Sequence, residues 1–367
     1  MSNSHVPMRA PRSAQALRRP SARMLRLVLI LAVVLGPLLA AEGLVRALVA
    51  LDRLPVASAP SRSFEITWTN LHRGRPPDVL FLGDSAAQQD MDPATLAQAL
   101  GAQMGRPVAV FDAGVPGSTI QLSLALVRQL EREHLLPRVV ILGIQPGWLK
   151  GKGTFFNQFF LKAPAGRIVT DCQFEHAYDA VVNCRAEEVS YLWRWRGRLT
   201  AIGRAIVHPL QRTAGSPDLQ LRADGFAAGS SSTDVGLQRD LDLMRQRGGL
   251  GPFRLGTETV SDFVNLVDYL RGQGVTVLAV SIPNIPPLAA RLETIHPGWQ
   301  RAYDLALDQI AMAARVAIVR PGIARWFTAA DAHNPKHLSA QGAVKFTREL
   351  WAIPWFERQL AIVFRGA

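Results

Sequence analysis

From Asp78 onward the chain repeatedly gathers apolar, β-branched residues into short runs. These are "DVLFLG" (78–83), "VAVFDAG" (108–114), "RVVILGI" (138–144), "VTVLAVSIP" (275–283) and "VAIVRPG" (316–322). None alternates apolar with polar as a half-exposed strand would, so each predicts a strand buried on both faces, as in a parallel sheet covered by helices. Between them, 93–104, 118–134, 257–273 and 298–314 are long enough for crossover helices. A β-α-β series of this kind predicts an open, doubly wound α/β sheet. Ligands of such sheets bind outside the carboxyl ends of the strands, and the polar and glycine-rich clusters of this chain follow strands.

Two regions break the series. Residues 145–256 separate the third strand from the fourth, and an insertion of that length predicts a lid or subdomain. It holds "SYLWRWRGRL" (190–199), whose Trp193, Arg194, Trp195 and Arg196 suit a headgroup interface, a sugar groove or an amphipathic helix packed on the domain. It also holds "AAGSSST" (227–233), which reads as a mobile loop. At the other end, residues 27–51 are almost wholly apolar and approach the ~20 residues that span a bilayer, with Glu42 and Arg46 spaced to pair on one helical face. The expected organisation is a basic cytoplasmic segment (1–26), a transmembrane anchor (27–51), a proline-containing linker (52–77) and a domain (78–367) carrying the insertion. A cleaved signal peptide would share the basic start and apolar run, but Leu39-Ala40-Ala41 is a poor cleavage site, which favours the anchor.

Charge sharpens the topology. The 367 residues carry a formal +12, yet seven arginines and one acid lie in the first fifty, leaving 34 basic and 28 acidic side chains beyond them. The arginines ahead of the apolar run keep the N-terminus inside and send the rest across, to the periplasmic or extracytoplasmic side of a bacterial inner membrane. The basic excess thus reports orientation, and no nucleic-acid partner is expected. Cys172 and Cys184 are the two cysteines. In an oxidising compartment their spacing suits a disulfide; the alternative is two unpaired buried thiols, and no His and Cys spacing supports a metal site.

The candidate chemistry starts at "GDS" (83–85). A serine at a strand-to-helix turn presents its hydroxyl and its N–H to one point, which suits nucleophilic attack and oxyanion binding. Asp and Ser are also ordinary helix caps, and the tripeptide alone decides nothing. "DAHNPKHLSAQGAVKFTREL" (331–350) places His337 after the last strand, on the same sheet edge, ahead of a helix capped by Ser339. His337 is therefore the candidate general base, with His333 read as a surface loop residue. Asp92 before Pro93 reads as a helix cap, Asp84 as a partner of nearby backbone, and the two with Asp90 do not suggest a metal cluster.

Together these residues resemble the SGNH (GDSL-type) hydrolases and their membrane-anchored acyltransferase relatives. "FLGDSAAQ" is similar to the nucleophile block, "FDAGVPGST" (111–119) to the second block and "NPKHLSAQGAVKFT" to the histidine block. The resemblance implies a flavodoxin-like three-layer sandwich around a central parallel sheet. It makes Ser85 the nucleophile and His337 its base, with the N–H groups of Ser85 and Gly114 in the oxyanion hole. Two positions depart from the pattern. "LGIQPGW" offers Gln145 where the family has Asn, and Asn334 stands where the family has Asp three residues before the histidine. Either Asp331 or Asn334 would then orient His337, or the site would be degenerate and only bind.

The implied activity needs no cofactor. It is acyl transfer or ester hydrolysis on an O-acylated, typically O-acetylated, envelope polysaccharide, beside a multi-spanning membrane O-acyltransferase partner. A silent domain binding a polysaccharide or such a partner is the alternative. A nucleotide-binding domain ranks lower, because no Gly-x-Gly-x-x-Gly or P-loop follows the first strand.

Overall fold

The computed structural model describes residues 22–50, 59–150, 219–246 and 249–365, with Ala186, Ser190, Leu192 and Trp193. The expected Cys172–Cys184 bridge and most of the inserted segment lie outside the described residues. Met1–Arg53 and Leu54–Ala367 form two units, each described by itself.

The first unit is built on α1, Ala22–Ala50, whose stretch Leu29–Ala47 has a mean hydropathy of 1.9 and is long and apolar enough to cross a membrane. Arg46 Nε donates to Glu42 Oε1 at 2.9 Å. The two charges in the apolar run therefore neutralise each other along one helical face.

The second unit is an α/β domain around a parallel five-stranded sheet in the order β2-β1-β3-β6-β7. Its strands are β1 (Val79–Gly83), β2 (Val110–Asp112), β3 (Val139–Ile144), β6 (Thr276–Ser281) and β7 (Ile318–Val319). β1 and β3 are buried along their whole length, which is why their sequences show no polar alternation. One face is covered by α4 (Pro93–Met104), α11 (Ala340–Trp351) and α12 (Pro354–Arg365), the other by α5 (Ile120–Arg132), α8 (Thr259–Gly272) and α10 (Trp299–Ala314). The other helices among the described residues include α3 (Ser85–Asp90), α6 (Pro146–Leu149), α7 (Asp234–Gln246) and α9 (Pro286–Ile295). Two antiparallel pairs, β4 (Leu219–Leu221) with β5 (Ala227–Gly229) and β8 (Ala332–Asn334) with β9 (His337–Leu338), complete the fold.

Two expectations change. Within the expected linker, Ala59–Arg73 is a helix, α2, with Phe64 and Leu71 buried. Asn70 Nδ2 donates to Arg222 O at 3.3 Å, and His72 Nε2 lies 2.7 Å from Glu133 Oε2. Pro60 lies in the first turn of this helix, where a proline is tolerated, and Pro76 and Pro77 follow its end, so the prolines do not make the whole stretch a linker. The expected mobile loop at 227–233 begins as strand β5, paired with β4, and Ser232 N–H donates to Ala332 O at 2.7 Å. The β4–β5 hairpin is tied to the sheet, since Asp112 N–H donates to Asp224 O at 2.8 Å and Arg222 pairs with Asp92 at 2.8 Å. Backbone pairing supplied by the rest of the fold overrides a weak local preference of this kind.

Candidate functional site

The winding of the sheet reverses at β1, which leads toward β2 on one side while the later strands build on the other. In an open sheet the crevice at such a point is the preferred ligand site. Gly83 ends β1 directly opposite Gly143 of β3. A Cβ on Gly83 would stand 2.5 Å from Gly143 O and 2.8 Å from Ala87 Cβ, so the turn into α3 needs glycine there. Asp84 caps that helix, accepting from Ala86 N–H at 3.0 Å, and Ser85 is its first residue, only partly buried.

A cavity of about 360 Å³ opens at this crevice. Ser85, Asp84, Gln145 and His337 line it, with Gly117 and Ser118 from the loop after β2. Trp148, Leu288 and Leu292 give it an apolar wall. Sequence register explains the convergence. Gly83 and Gly143 are partners, and Ser85 and Gln145 each follow two places on, so both lie just beyond the ends of neighbouring strands.

Gln145 Nε2 donates to Asp84 Oδ2, which leaves the second hydrogen of that amide for another acceptor. Burial pushes the Asp84 carboxyl up to about 6, against the opposing effect of its bonds from Gln145 and Ala86. Gly114 is placed differently from expectation. Its N–H is held by Asp112 Oδ1 at 2.7 Å, and a Cβ there would lie 2.7 Å from Gln88 N, so this glycine packs behind α3 and does not line the cavity. Gly117 is the glycine of that loop that lines the cavity with Ser85, in the left-handed region with φ of 68°. The β1–β2 ladder continues past the strand ends, through Ala113 N–H to Phe81 O and Val115 N–H to Gly83 O, and Gly117 follows two residues beyond that extension.

His337 lies on β9 with its side chain 10% exposed, and its Nδ1 is 3.9 Å from Asp90 Oδ1. Asp90 ends α3 and also accepts the N–H of Leu338 at 2.7 Å, which fixes β9 against α3. Burial raises the Asp90 carboxyl, and His337 opposes that rise. Neither residue expected to orient the imidazole turns toward it. Asp331 accepts from Thr328 N–H and Oγ1, both at 2.9 Å, and meets Lys345 Nζ at 2.8 Å. Asn334 Oδ1 accepts the backbone N–H groups of Lys336 at 2.9 Å and His337 at 3.2 Å, shaping the turn that presents the histidine. His333 Nδ1 lies 3.1 Å from Ser230 O.

Sequence reasoning passed over Asp90, and a signal for it existed. An acid five residues beyond the serine, inside the apolar-flanked "AAQQDMDP", stands on the same helix as Ser85 and is flanked by apolar and amide residues, as a buried carboxylate would be. Asp92 is the cap of α4, accepting from Ala94 N–H at 3.1 Å. Among the described residues no group of three His, Cys, Asp or Glu side chains gathers to hold a metal ion. No protein-family model matches the chain, and no curated protein matches it.

Proposed function

We propose that this chain is an SGNH-type serine acyltransferase or esterase. It acts on O-acyl groups, in the first instance O-acetyl groups, of an envelope polysaccharide through an acyl-enzyme on Ser85. The observation that carries the reading is that Ser85 and His337, 252 positions apart in sequence, line one cavity at the switch point of the sheet, with a buried carboxylate behind the histidine. The resemblance of the three sequence blocks to that superfamily supports it.

In this reading Nδ1 of His337 faces Asp90, and Nε2 serves Ser85. Nε2 takes the Ser85 Oγ proton as Oγ attacks the ester carbonyl carbon. Negative charge develops on the carbonyl oxygen, where the N–H groups of Ser85 and Gly117 and the second Gln145 amide hydrogen would receive it. The tetrahedral species collapses with cleavage of the ester C–O bond, and His337 returns its proton to the departing alcohol oxygen. Water or a glycan hydroxyl, deprotonated by the same imidazole, then attacks the acyl-serine and frees Ser85. Asp90 keeps the imidazole in the right tautomer and stabilises its cationic form.

The apolar helix α1 supports a membrane-tethered workplace, and the basic residues before it support an extracytoplasmic one. A multi-spanning acyl-donor partner fits that setting. The test compares release of p-nitrophenol from p-nitrophenyl acetate by the full chain in detergent micelles with release by Ser85→Ala and His337→Ala. Both variants are expected to lose activity by at least about 10³-fold. Equal rates in all three would leave the silent binding domain as the better reading. Acetylation of an added oligosaccharide at the expense of free acetate would mark a transferase.

A further inference from the structure

Two exposed lysines line the Ser85 cavity with no counter-charge among the described residues. Lys150 follows α6, after the third strand, and Lys336 sits in the β8–β9 turn beside His337, so the fold brings them together from positions 186 residues apart. Both line the cavity. Among the described residues that line the cavity Asp84 is the one acid, and its carboxylate is already engaged by Ala86 N–H and Gln145. Neither lysine forms an ion pair among the described residues. Partial burial and then the charge of Lys336 both push the Lys150 ammonium below its ordinary value, as expected of two exposed cations that line one cavity.

A pair of like charges held at one opening is unfavourable in the free protein and becomes favourable when an anion sits between them. Neutral glycans gain nothing from that arrangement. The remaining lining suits separate roles: the polar residues around Ser85 would meet the ester, the apolar wall of Trp148, Leu288 and Leu292 would meet a sugar face or acyl methyl, and the exposed lysines would meet charge.

We propose that the substrate of this site is an anionic glycan, whose carboxylate or phosphate is held between Lys150 and Lys336 while the acylated hydroxyl reaches Ser85. The proposal rests on the reading of the cavity as an acyl-transfer site and names its substrate class. The lysines select the chain by charge, and the residues around Ser85 act on the ester.

Equilibrium binding separates the two claims, because it is read without any turnover. The full chain in non-ionic detergent micelles is titrated with oligogalacturonate, with poly(glycerol phosphate) and with a cello-oligosaccharide of matched length, at low and at raised salt. At least one anionic probe is expected to bind tenfold or more tighter than the neutral one, with the advantage shrinking as salt rises. Oligogalacturonate alone would identify a carboxylate polymer, and poly(glycerol phosphate) alone a phosphate polymer. Lys150→Gln and Lys336→Gln should each weaken that probe by about tenfold, the scale of one charge-assisted contact, and Lys→Arg at either position should retain it. Binding of the neutral probe as tightly as the anionic ones, no binding of either anionic probe, or undiminished anion binding by both Gln variants would overturn the proposal. Loss of anion selectivity with ester cleavage intact would leave the Ser85 reading standing; selectivity without ester cleavage would do the reverse.

Discussion

Asp90 is the residue whose role changes most between sequence and structure. Its carboxylate accepts Leu338 N–H at 2.7 Å and lies 3.9 Å from Nδ1 of His337, residues 248 and 247 positions away, a meeting that depends on how β9 lies against α3. Asp90→Asn should keep the Leu338 bond, because an amide oxygen can accept it, while losing support for the imidazolium. We expect kcat to fall by about 10²- to 10⁴-fold with little change in the urea midpoint. Asp331→Asn should behave oppositely. It weakens a fully buried cap paired with Lys345, at a cost of about 2 kcal/mol in unfolding free energy, and spares most of kcat. If Asp331→Asn lost activity as Asp90→Asn is expected to, with stability intact, the assignment of the orienting carboxylate would be reversed.

Asp84 carries a pH signature. Its folded-state value of about 6 lies above the ordinary 3.8, so the folded protein holds this proton more tightly than the unfolded chain. The contribution is therefore full below about pH 4 and is lost as pH rises toward 6, by about 3 kcal/mol in total. Unfolding curves between pH 4 and 6.5 should show a steeper decline for the natural chain than for Asp84→Asn. Parallel declines would show that Asp84 does not carry this proton.

At the scale of elements, the long helices and the buried strands were legible, and the reason is physical. The helix expected at 93–104 is α4 with the same bounds, announced by Asp92 as cap and Pro93 in the first turn. β1 and β3 were legible because burial on both faces leaves continuous apolar runs. Elements that depend on partners were not. α2 is polar overall and is held by a few buried side chains, and β5 pairs only because Leu219–Leu221 lies beside it. Leu71, 2% exposed in α2, supplies a test of whether that helix belongs to the domain. Leu71→Ala should cost about 3 kcal/mol of unfolding free energy; a cost near zero would mean that α2 is an appendage. Gly83→Ala forces a Cβ against Gly143 O, and we expect about 3 kcal/mol of destabilisation from that single methyl, seen as a lower urea midpoint.

For the whole molecule, the candidate site was legible where it follows strand ends and obscure where it depends on loop register. The structure brings Ser85, Gln145 and His337 to one cavity, each at a point its place after a strand already suggested. Gly114 and Gly117 differ by three positions in one loop, and only the hydrogen bond from Gly114 N–H to Asp112 and the lining of the cavity tell them apart. The apolar helix α1 adds a second scale of constraint, since a membrane tether would restrict the domain to substrates near the bilayer surface. That fits a polymer acylated at the envelope better than a freely diffusing ester.

The central claim is that Ser85 carries an acyl group between two half-reactions. Mass spectrometry of the full chain, quenched in acid after mixing with p-nitrophenyl acetate and then digested, measures this directly. We expect an acetyl group on Ser85 that forms in the natural chain, accumulates in Asp90→Asn as deacylation slows, and is absent in Ser85→Ala. Acetyl found only at other residues, or a Ser85→Ala chain that still releases p-nitrophenol at the natural rate, would contradict it.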